Sequence, residues 1–451
     1  MWKKIVTVIL VLLAGGYIFA DAWDLVPGFL TTAPEKDAPL PPPTSRYIGA
    51  APEITPITGH LPNSACVNQQ ITKLATDPRN TGTTSVIIFD PDTGEVIGQR
   101  DPQRAAIPAS NMKLLTAAAA LTALGPQTRL STTTLVDGNT LYLRGGGDVL
   151  LGAGENAETA IRGRAGLATL ARETATQLRS SKIAVSHIAV DSSLFAEPTY
   201  HPDVIGTDRE YIMELRPIAI DRGSGQTGFM PNPDVTAAQT FRDLLAAQGI
   251  PLDEPQRAIT PPSARELAHV QSAPIRDLVD VMLVESDNSI AEVLGHLLAH
   301  HVGEPATFAG GAAAVRTILT GIGINMANVE LSDASGLSIS NRVTATAIAD
   351  VLRQTWECDS CPLAAIPAGL PVAALDGTLW NRFDNSALRG ILRAKTGTLI
   401  QAISLSGYLR NASDAPLGFV ILIDNLQEGT APDTRVLQDE FLDGIAACPA
   451  S

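Results

Sequence analysis

The sequence predicts an α+β fold in which strands from both ends of the chain form one antiparallel sheet flanked by helices. Two strand patterns lie near the N-terminus, at residues 84–89 and 95–100. Three consecutive strand patterns lie near the C-terminus, at 393–399, 402–409 and 417–423. Helical periodicity fills much of the chain between them, and it is interrupted by a stretch with mixed strand, helix and loop patterns. That order predicts a sheet closed by both ends of the chain, with helices packed on it and a further unit inserted.

Composition is that of a globular, exported protein. Apolar residues make up 45% of the 451 positions and charged residues 18%, so the chain can fill a sizeable core. Its length is sufficient for two or three domains. Aromatic residues are few, at 4%, which predicts an aliphatic, alanine-rich core. The net charge is −15 and no basic stripe occurs, so nucleic acid is not expected as a partner.

The N-terminal segment predicts export to the extracytoplasmic face of the membrane, the cell wall or the periplasm. Lys3 and Lys4 precede an uncharged run, and residues 20–22 fit a small-x-small cleavage site. Residues 1–24 fit both a cleaved signal peptide and a retained membrane anchor. The proline-rich stretch at 25–62 predicts an extended linker. Any membrane contact is expected only through this N-terminal segment.

The first hairpin leads directly into a helix that carries a candidate nucleophile. Pro108 stops any earlier helix, and the alanine- and leucine-rich run at 114–121 has high helix propensity. Ser110 is therefore expected in the first helical turn, with Lys113 on the same face. A lysine drawn out of water has its charged form disfavoured, so Lys113 could act as the base that a weak serine nucleophile needs. An N-capping serine beside an exposed lysine is the alternative interpretation of this pair alone.

The stretch from 126 to 265 predicts an inserted mixed α/β domain. Strand patterns at 130–136 and 139–144 flank an Asp-Gly pair, which is a strong hairpin signal. A helix at 166–179 and a strand at 182–190 follow, and the remainder is interpreted as loops with many Gly and Pro.

The sheet-and-helix domain resumes after the insert. Helical periodicity returns at 274–301, and a final helix is predicted near 434–446. We therefore assign 63–125 and 266–451 to one catalytic domain.

The four cysteines fit an oxidising compartment. We expect disulfides Cys66–Cys448 and Cys358–Cys361, although the sequence permits three pairings. The first pairing would tie together the two ends of one domain. Three histidines share the helix at 274–301, where a solvated helix end is expected rather than a metal site.

Two further motifs join Ser110 and Lys113. Ser286 and Asn288 interrupt a helical stretch, and a break there would point both side chains into a cleft. Lys395, Thr396 and Gly397 lie on a predicted strand, where a small hydroxyl and a glycine permit close approach of an extended, anionic ligand. Each motif is commonplace alone, but the order Ser-x-x-Lys, Ser-x-Asn, Lys-Thr-Gly is the set of penicillin-binding proteins and class A β-lactamases.

The residues around the motifs narrow the match. From about Asn63 to the C-terminus the chain resembles the D-alanyl-D-alanine carboxypeptidase/endopeptidase family, the class C low-molecular-mass penicillin-binding proteins. The segments that carry the resemblance are 108–117, 286–292, 376–379, 393–399 and 404–408. The long insert between the first two motifs is also a mark of that family. One departure is Ala334, where the family usually has glycine in Asp-Gly-Ser-Gly-Leu-Ser; the extra methyl could restrict the backbone near the cleft.

The resemblance implies roles for the first two motifs. Ser110 would attack the carbonyl between two terminal D-Ala units and form an acyl-enzyme, and Lys113 would take its proton. Ser286 would pass a proton to the leaving amine, and Asn288 would hold the substrate amide.

The resemblance implies roles for the third motif as well. Lys395 would add positive charge and keep Lys113 neutral by like-charge repulsion. Thr396 and Thr398, on either side of Gly397, would bind the terminal carboxylate. The backbone N–H groups of Ser110 and Thr398 would form an oxyanion hole.

The resemblance thus implies a serine β-lactamase/penicillin-binding-protein-like fold and a serine-type D,D-carboxypeptidase with endopeptidase action on cross-links. Its expected partners are peptidoglycan stem peptides, with β-lactams as covalent inhibitors, and no metal or organic cofactor is expected. A β-lactamase is one alternative, but no Glu-x-x-x-Asn run lies between Asn288 and Lys395. A non-catalytic wall-binding protein that kept the fold is the other.

Overall fold

The structure, a computed structural model, describes residues 59–225, 228–356, 358 and 361–451, and these form both strands and helices. The strands are β1 (Thr83–Phe89), β2 (Val96–Arg100), β3 (Arg129–Asp137), β4 (Thr140–Arg144), β5 (Asp148–Leu151), β6 (His187–Asp191), β7 (Ile218–Ile220), β8 (Ser224–Gly225), β9 (Gly228–Phe229), β10 (Gln256–Arg257), β11 (Arg265–Pro274), β12 (Arg393–Leu399), β13 (Ala402–Arg410) and β14 (Pro416–Asp424). The helices are α1 (Ser64–Thr76), α2 (Met112–Ala123), α3 (Leu167–Ser180), α4 (Pro233–Ala247), α5 (Ile275–Val284), α6 (Asn288–His301), α7 (Phe308–Gly321), α8 (Ala345–Trp356), α9 (Ala365–Ala368) and α10 (Ala431–Ala446).

One five-stranded antiparallel sheet takes its strands from both ends of the chain, in the order β12-β13-β14-β1-β2. This confirms the predicted sheet. Phe419 and Ile421 on β14 pack with α1 and α10, whereas Val420 and Leu422 pack with α2 and α8 on the other face. Because successive side chains of a strand point to opposite faces, a sheet covered on both faces requires a continuous apolar strand such as β14.

A second five-stranded sheet lies in the stretch between the first two motifs, in the order β10-β6-β4-β3-β11. Helices α3 and α4 pack against it through a separate apolar cluster that includes Leu170 and Phe241. The sheet extends to Pro274, where β11 ends and α5 begins. The domain boundaries at 126 and 265 stay a prediction.

Two expectations for this stretch were wrong in detail. The strand predicted at 182–190 begins only at His187, because Lys182 adopts a left-handed conformation (φ 55°) in the turn after α3. The residues before 265, interpreted as loops, include helix α4. Pro233 occupies its first turn, a position where the missing N–H of proline is harmless, so the proline marks a helix start rather than a loop.

The predicted helical stretch at 274–301 is interrupted, as expected, at the second motif. Helix α5 ends at Val284 and α6 begins at Asn288. Ser286 lies between them in the left-handed region (φ 58°). The Asp287 side chain accepts a hydrogen bond from the Ile290 backbone N–H at 2.8 Å and so caps α6.

Both predicted disulfides are present. Cys66–Cys448 joins α1 to the residues after α10 with a Cα–Cα distance of 5.9 Å, and Cys358–Cys361 has a Cα–Cα distance of 5.4 Å. The predicted signal or anchor at 1–24, and the linker as far as residue 58, lie outside the described residues. Within the described ranges, no helix is both long and apolar enough to cross a membrane.

Replacing Cys66 and Cys448 together by serine should lower the free energy of unfolding by about 2–4 kcal/mol, because that disulfide closes a long loop of the unfolded chain. The matched control is Cys358→Ser with Cys361→Ser. It should cost clearly less, since its cysteines are separated by 3 positions rather than 382. Denaturant unfolding measures both. Equal losses in the two double variants would contradict the loop-length argument.

Candidate active site

Ser110 lies in a short 3-10 turn, Ala109–Asn111, that leads directly into α2. The preceding Ala109 is left-handed (φ 46°), so the chain turns sharply before the serine. Strand β12 approaches this turn closely: a Cβ at Gly397 would lie 2.9 Å from the Ser110 backbone nitrogen and 2.2 Å from Ser404 Oγ. Only glycine therefore permits the third motif to lie this close to Ser110.

Asn111 fastens this turn to the sheet. Its Nδ2 donates to the Lys395 carbonyl oxygen at 3.2 Å and to Ser404 Oγ at 2.6 Å. Ser404 Oγ in turn donates to the Pro108 carbonyl oxygen at 2.6 Å. Asn111 was not among the predicted site residues, since an asparagine between two motif residues carries no pattern of its own.

Lys113 is fully buried and makes three hydrogen bonds. Its Nζ donates to Ser110 Oγ at 2.9 Å, to Asn288 Oδ1 at 2.7 Å and to the Ser335 carbonyl oxygen at 2.7 Å. Burial lowers the pKa of Lys113 to about 8, and nearby carboxylates, Asp333 foremost, limit the shift. The neutral amine, which can accept the Ser110 proton, is therefore well populated near pH 8.

Lys395 is also fully buried. Its Nζ donates to Ser286 Oγ and to the Thr396 carbonyl oxygen, both at 2.9 Å. Burial first, and then the charge of Lys113, hold the pKa of Lys395 well below its usual range.

Burial lowers the pKa of Lys113, as expected for a lysine drawn out of water. The further effect of repulsion by Lys395, which the resemblance implies, stays a prediction.

The second motif meets the first and third at these two lysines. Ser286 Oγ accepts from Lys395, and Asn288 Oδ1 accepts from Lys113. Asn288 Nδ2 donates to the Tyr211 carbonyl oxygen at 2.9 Å. Both polar ends of the Asn288 amide are thus occupied by the protein itself.

Strand β12 is an edge strand, and its outer side faces the cleft. The turn at 400–401 joins Leu399 to its partner Ala402, and in such a hairpin this closing pair is hydrogen-bonded. Because hydrogen-bonded pairs alternate along an antiparallel ladder, the main-chain groups of Thr396 and Thr398 point away from β13. Thr396 Oγ1 donates to Thr378 Oγ1 at 2.7 Å. The edge can accept an extended peptide as an added strand.

These elements surround a cleft of ≈ 810 Å³. Most of the predicted site residues line it: Ser110, Ser286, Asn288, Thr396, Gly397 and Thr398. Lys113 and Lys395 lie buried behind its wall. Sequence reasoning missed polar lining residues that belong to none of the three motifs: Thr207, Asp208, Tyr211, Arg382, Glu428 and Arg435.

A buried carboxylate supports the wall behind Lys113. Glu292, on α6, accepts hydrogen bonds from the backbone N–H groups of Ala334 (3.0 Å) and Ser335 (2.7 Å). It thereby fixes the position of the Ser335 carbonyl oxygen, which accepts a hydrogen bond from Lys113 Nζ. Burial, and the charge of Asp333, raise the pKa of Glu292. An acid among the apolar positions of α6 is a signal that could have identified it from the sequence.

Ala334 does not strain the cleft. Ala334 does not adopt a left-handed conformation. Gly336 does, with φ 82°, and a Cβ there would lie 1.9 Å from the Ala109 carbonyl oxygen. The Ala334 methyl packs on α6 at Gly295, where a Cβ would come within 2.6 Å of it. The glycine that this loop requires is therefore Gly336, and the departure at Ala334 is accommodated by Gly295.

The described residues contain no cluster of three or more His, Cys, Asp or Glu side chains that could hold a metal ion. His300 and His301 lie exposed at the end of α6, as expected. His296 does not: it is buried between Phe195 and Phe308, and burial lowers its pKa to about 4.

Comparisons with known proteins cover most of the chain. The model of the D-Ala-D-Ala carboxypeptidase 3 (S13) family matches residues 67–232 and 224–444. Carboxypeptidase DacB of Mycolicibacterium smegmatis is 31% identical over 440 residues, covering 94% of this chain and 93% of the relative. A carboxypeptidase of Mycobacterium tuberculosis is 33% identical over 398 residues, covering 85% of each chain.

A solved structure shows the same fold. Penicillin binding protein 4 (dacB) of Haemophilus influenzae matches with a TM-score of 0.67 at 22% identity, covering 84% of this chain and 99% of that chain. The match confirms the predicted serine β-lactamase/penicillin-binding-protein-like α+β fold.

The rate of acylation of Ser110 by benzylpenicillin should rise with pH and level off above a midpoint of about 8. Lys113 can accept the Ser110 proton only after losing its own, and its pKa is lowered to about 8. Stopped-flow acylation across the pH range measures this midpoint. In the Asp333→Asn variant the foremost of the carboxylate charges that raise the pKa of Lys113 is gone, so the midpoint should move to lower pH. A wild-type midpoint near the usual lysine value, or a shift upward in the variant, would contradict the assignment.

Proposed function

Because the chain belongs to the D-Ala-D-Ala carboxypeptidase 3 (S13) family, we propose that Ser110 is the nucleophile and Lys113 the base of its reaction. The chain is a serine-type D-Ala-D-Ala carboxypeptidase, a hydrolase. The observation that carries the residue assignment is the 2.9 Å contact between the buried Lys113 amine and Ser110 Oγ, at the edge of β12. The roles of the other motif residues follow from their positions around this pair.

Binding uses the outer edge of β12. The C-terminal peptide of the substrate lies extended along this strand, with its terminal carboxylate at the hydroxyls of Thr396 and Thr398. The scissile carbonyl oxygen accepts hydrogen bonds from the backbone N–H groups of Ser110 and Thr398. Removing one such donor typically costs about 3 kcal/mol of transition-state stabilisation. Gly397 supports this geometry because it allows β12 to approach the Ser110 nitrogen.

Acylation then follows in balanced steps. Neutral Lys113 takes the Ser110 proton, and Oγ bonds to the carbonyl carbon between the two terminal D-Ala units. As the C–N bond breaks, Ser286 passes a proton to the leaving amine, which departs as D-Ala. The proton held by Lys113 replaces the one that Ser286 gives up, so the proton lost by Ser110 ends on the departing amine and Lys113 is neutral again. Lys395, hydrogen-bonded to Ser286 Oγ, orients that hydroxyl. Asn288 holds the amide of the penultimate residue once substrate displaces one of its present partners.

Deacylation completes hydrolysis. Water gives a proton to neutral Lys113 as its oxygen bonds to the acyl carbon, and Ser110 recovers that proton from Lys113 as the Oγ–C bond breaks. The shortened peptide leaves with a free carboxylate.

We propose peptidoglycan stem peptides as the substrate and an extracytoplasmic site of action. The family is named for its action on the D-Ala-D-Ala bond. Peptides that end in this bond are the stem peptides of the cell wall. Endopeptidase action on cross-links uses the same acyl transfer with a larger leaving amine. The export signal predicted at the N-terminus supports this location.

A β-lactamase is disfavoured as the alternative. Class A enzymes use a glutamate to activate the deacylating water, and no Glu-x-x-x-Asn run lies between Asn288 and Lys395. β-Lactams should therefore acylate Ser110 and remain bound rather than turn over rapidly.

Intact-mass spectrometry of the full chain with benzylpenicillin tests this proposal. The wild type should gain one penicilloyl group that is lost slowly, and Ser110→Ala should gain none. Ser180→Ala, an exposed serine on α3, is the matched control and should react like the wild type. A peptide ending in D-Ala-D-Ala should release free D-Ala with the wild type only. Rapid drug turnover would indicate a β-lactamase, and the absence of both adduct and D-Ala would favour a non-catalytic wall-binding protein.

A further inference from the structure

We infer that Arg222, from the segment between the first and second motifs, is a positioning residue that holds the Ser286–Asn288 turn in the cleft through its ion pair with Asp287. The inference rests on the proposed roles of Ser286 and Asn288, and it gives the segment a function in the reaction.

The ion pair is largely shielded from water. Arg222 Nη1 lies 2.5 Å from Asp287 Oδ2, and their side chains are 20% and 4% exposed. The other Asp287 oxygen accepts the Ile290 N–H and caps α6. One carboxylate thus joins the helix that carries Asn288 to a side chain from the far segment. Without Arg222, this nearly buried carboxylate would lose its close cationic partner. Loss of a partner is tolerated in a surface ion pair, but in a buried pair it leaves an uncompensated charge.

The same segment contacts the residues on both sides of Asp287. Arg162 forms ion pairs with Glu285 and with Asp221. The Tyr211 carbonyl oxygen accepts from Asn288 Nδ2.

One contact lies further along α6, where the Met213 N–H donates to Ser289 Oγ at 3.0 Å. The first and third motifs also hold this turn, because Lys113 donates to Asn288 Oδ1 and Lys395 donates to Ser286 Oγ. The turn is therefore held by contacts with two parts of the chain, the segment between the first two motifs and the lysines of the first and third motifs.

Backbone conformation at the contact points in the same direction. Asp221 and Arg222 are consecutive left-handed residues, with φ 39° and 61°, and Ser286 is left-handed with φ 58°. None of the three is glycine, so each conformation is disfavoured and persists only when its surroundings hold it. The ion pair lies where these two strained turns meet. Loss of the pair should let the second motif relax away from Ser110.

The matched comparison is a second arginine–aspartate pair in the same segment, in which the aspartate is buried and the arginine is partly exposed. Arg257 Nη2 lies 2.7 Å from Asp234 Oδ1, with 38% and 0% of the side chains exposed. Neither residue lines the cleft. Arg222→Gln and Arg257→Gln each remove one cation from a buried aspartate, but only the first pair lies at the second motif.

The experiment measures the rate constant for acylation by benzylpenicillin together with Tm. Arg222→Gln should acylate about 10- to 100-fold more slowly than the wild type, because small displacements of positioned groups have effects of this size. Arg257→Gln should stay within about twofold of the wild-type rate even where its Tm falls. Arg222→Lys, which retains the charge, should recover most of the rate.

A double-variant cycle separates the pair from the cap. Asp287→Asn keeps an N-cap side chain for α6 but removes the charge that pairs with Arg222. The double variant Arg222→Gln/Asp287→Asn should acylate no more slowly than the slower single variant, since both changes break the same interaction. Fully additive losses would overturn the inference, as would an Arg222→Gln rate equal to that of Arg257→Gln.

Amide hydrogen exchange tests the inference without any reaction. Residues 285–290 should exchange faster in Arg222→Gln than in Arg257→Gln or the wild type. If the wild type forms no penicilloyl adduct, the proposed function fails while this measurement still decides the positioning role. Unchanged exchange at 285–290 in Arg222→Gln would overturn that role.

Discussion

The burial of the Lys113 amine is the constraint on which the rest of the site depends. Lowering its pKa from 10.5 to about 8 means that the folded state disfavours the ammonium by about 3 kcal/mol. That penalty is complete below pH 8 and disappears above the unfolded pKa of 10.5, because only the protonated form is destabilised. The fold tolerates it by surrounding Nζ with three acceptors, from the Ser110 turn, from α6 and from the loop that contains Ser335. A base that works near neutral pH is thus obtained at the expense of stability.

Close backbone approaches make this arrangement possible. Gly397 lets β12 lie against the Ser110 turn, and Gly336 lets the Ser335 loop lie against Ala109. Asn111 and Ser404 bind the same turn to the sheet through side-chain hydrogen bonds. The sheet edge and the start of α2 therefore behave as one rigid frame, and the second motif is the part that has to be held in place from elsewhere. The ion pair of Arg222 with Asp287 is suited to that task.

Much of the fold and the centre of the site could be predicted from the sequence. The strands of the first sheet are apolar runs with clear turns, and the three motifs meet as their order and flanks predict. Contacts between distant elements were beyond local patterns: nothing around Arg222 or Tyr211 indicates that either lies at the second motif. Helix α4 was missed because a proline that begins a helix resembles one that breaks it. How far burial lowers the pKa of Lys113 depends on tertiary packing, which a local pattern does not contain.

The most direct test of this account is an NMR titration of Lys113 itself. The Cε resonance of lysine reports the charge of its own amine, and a Lys113→Met variant would assign the signal in lysine-labelled protein. The account predicts a midpoint of about 8 for this one residue. A midpoint near the usual value of 10.5 would contradict it, because Lys113 would then remain charged and could not serve as the base for Ser110.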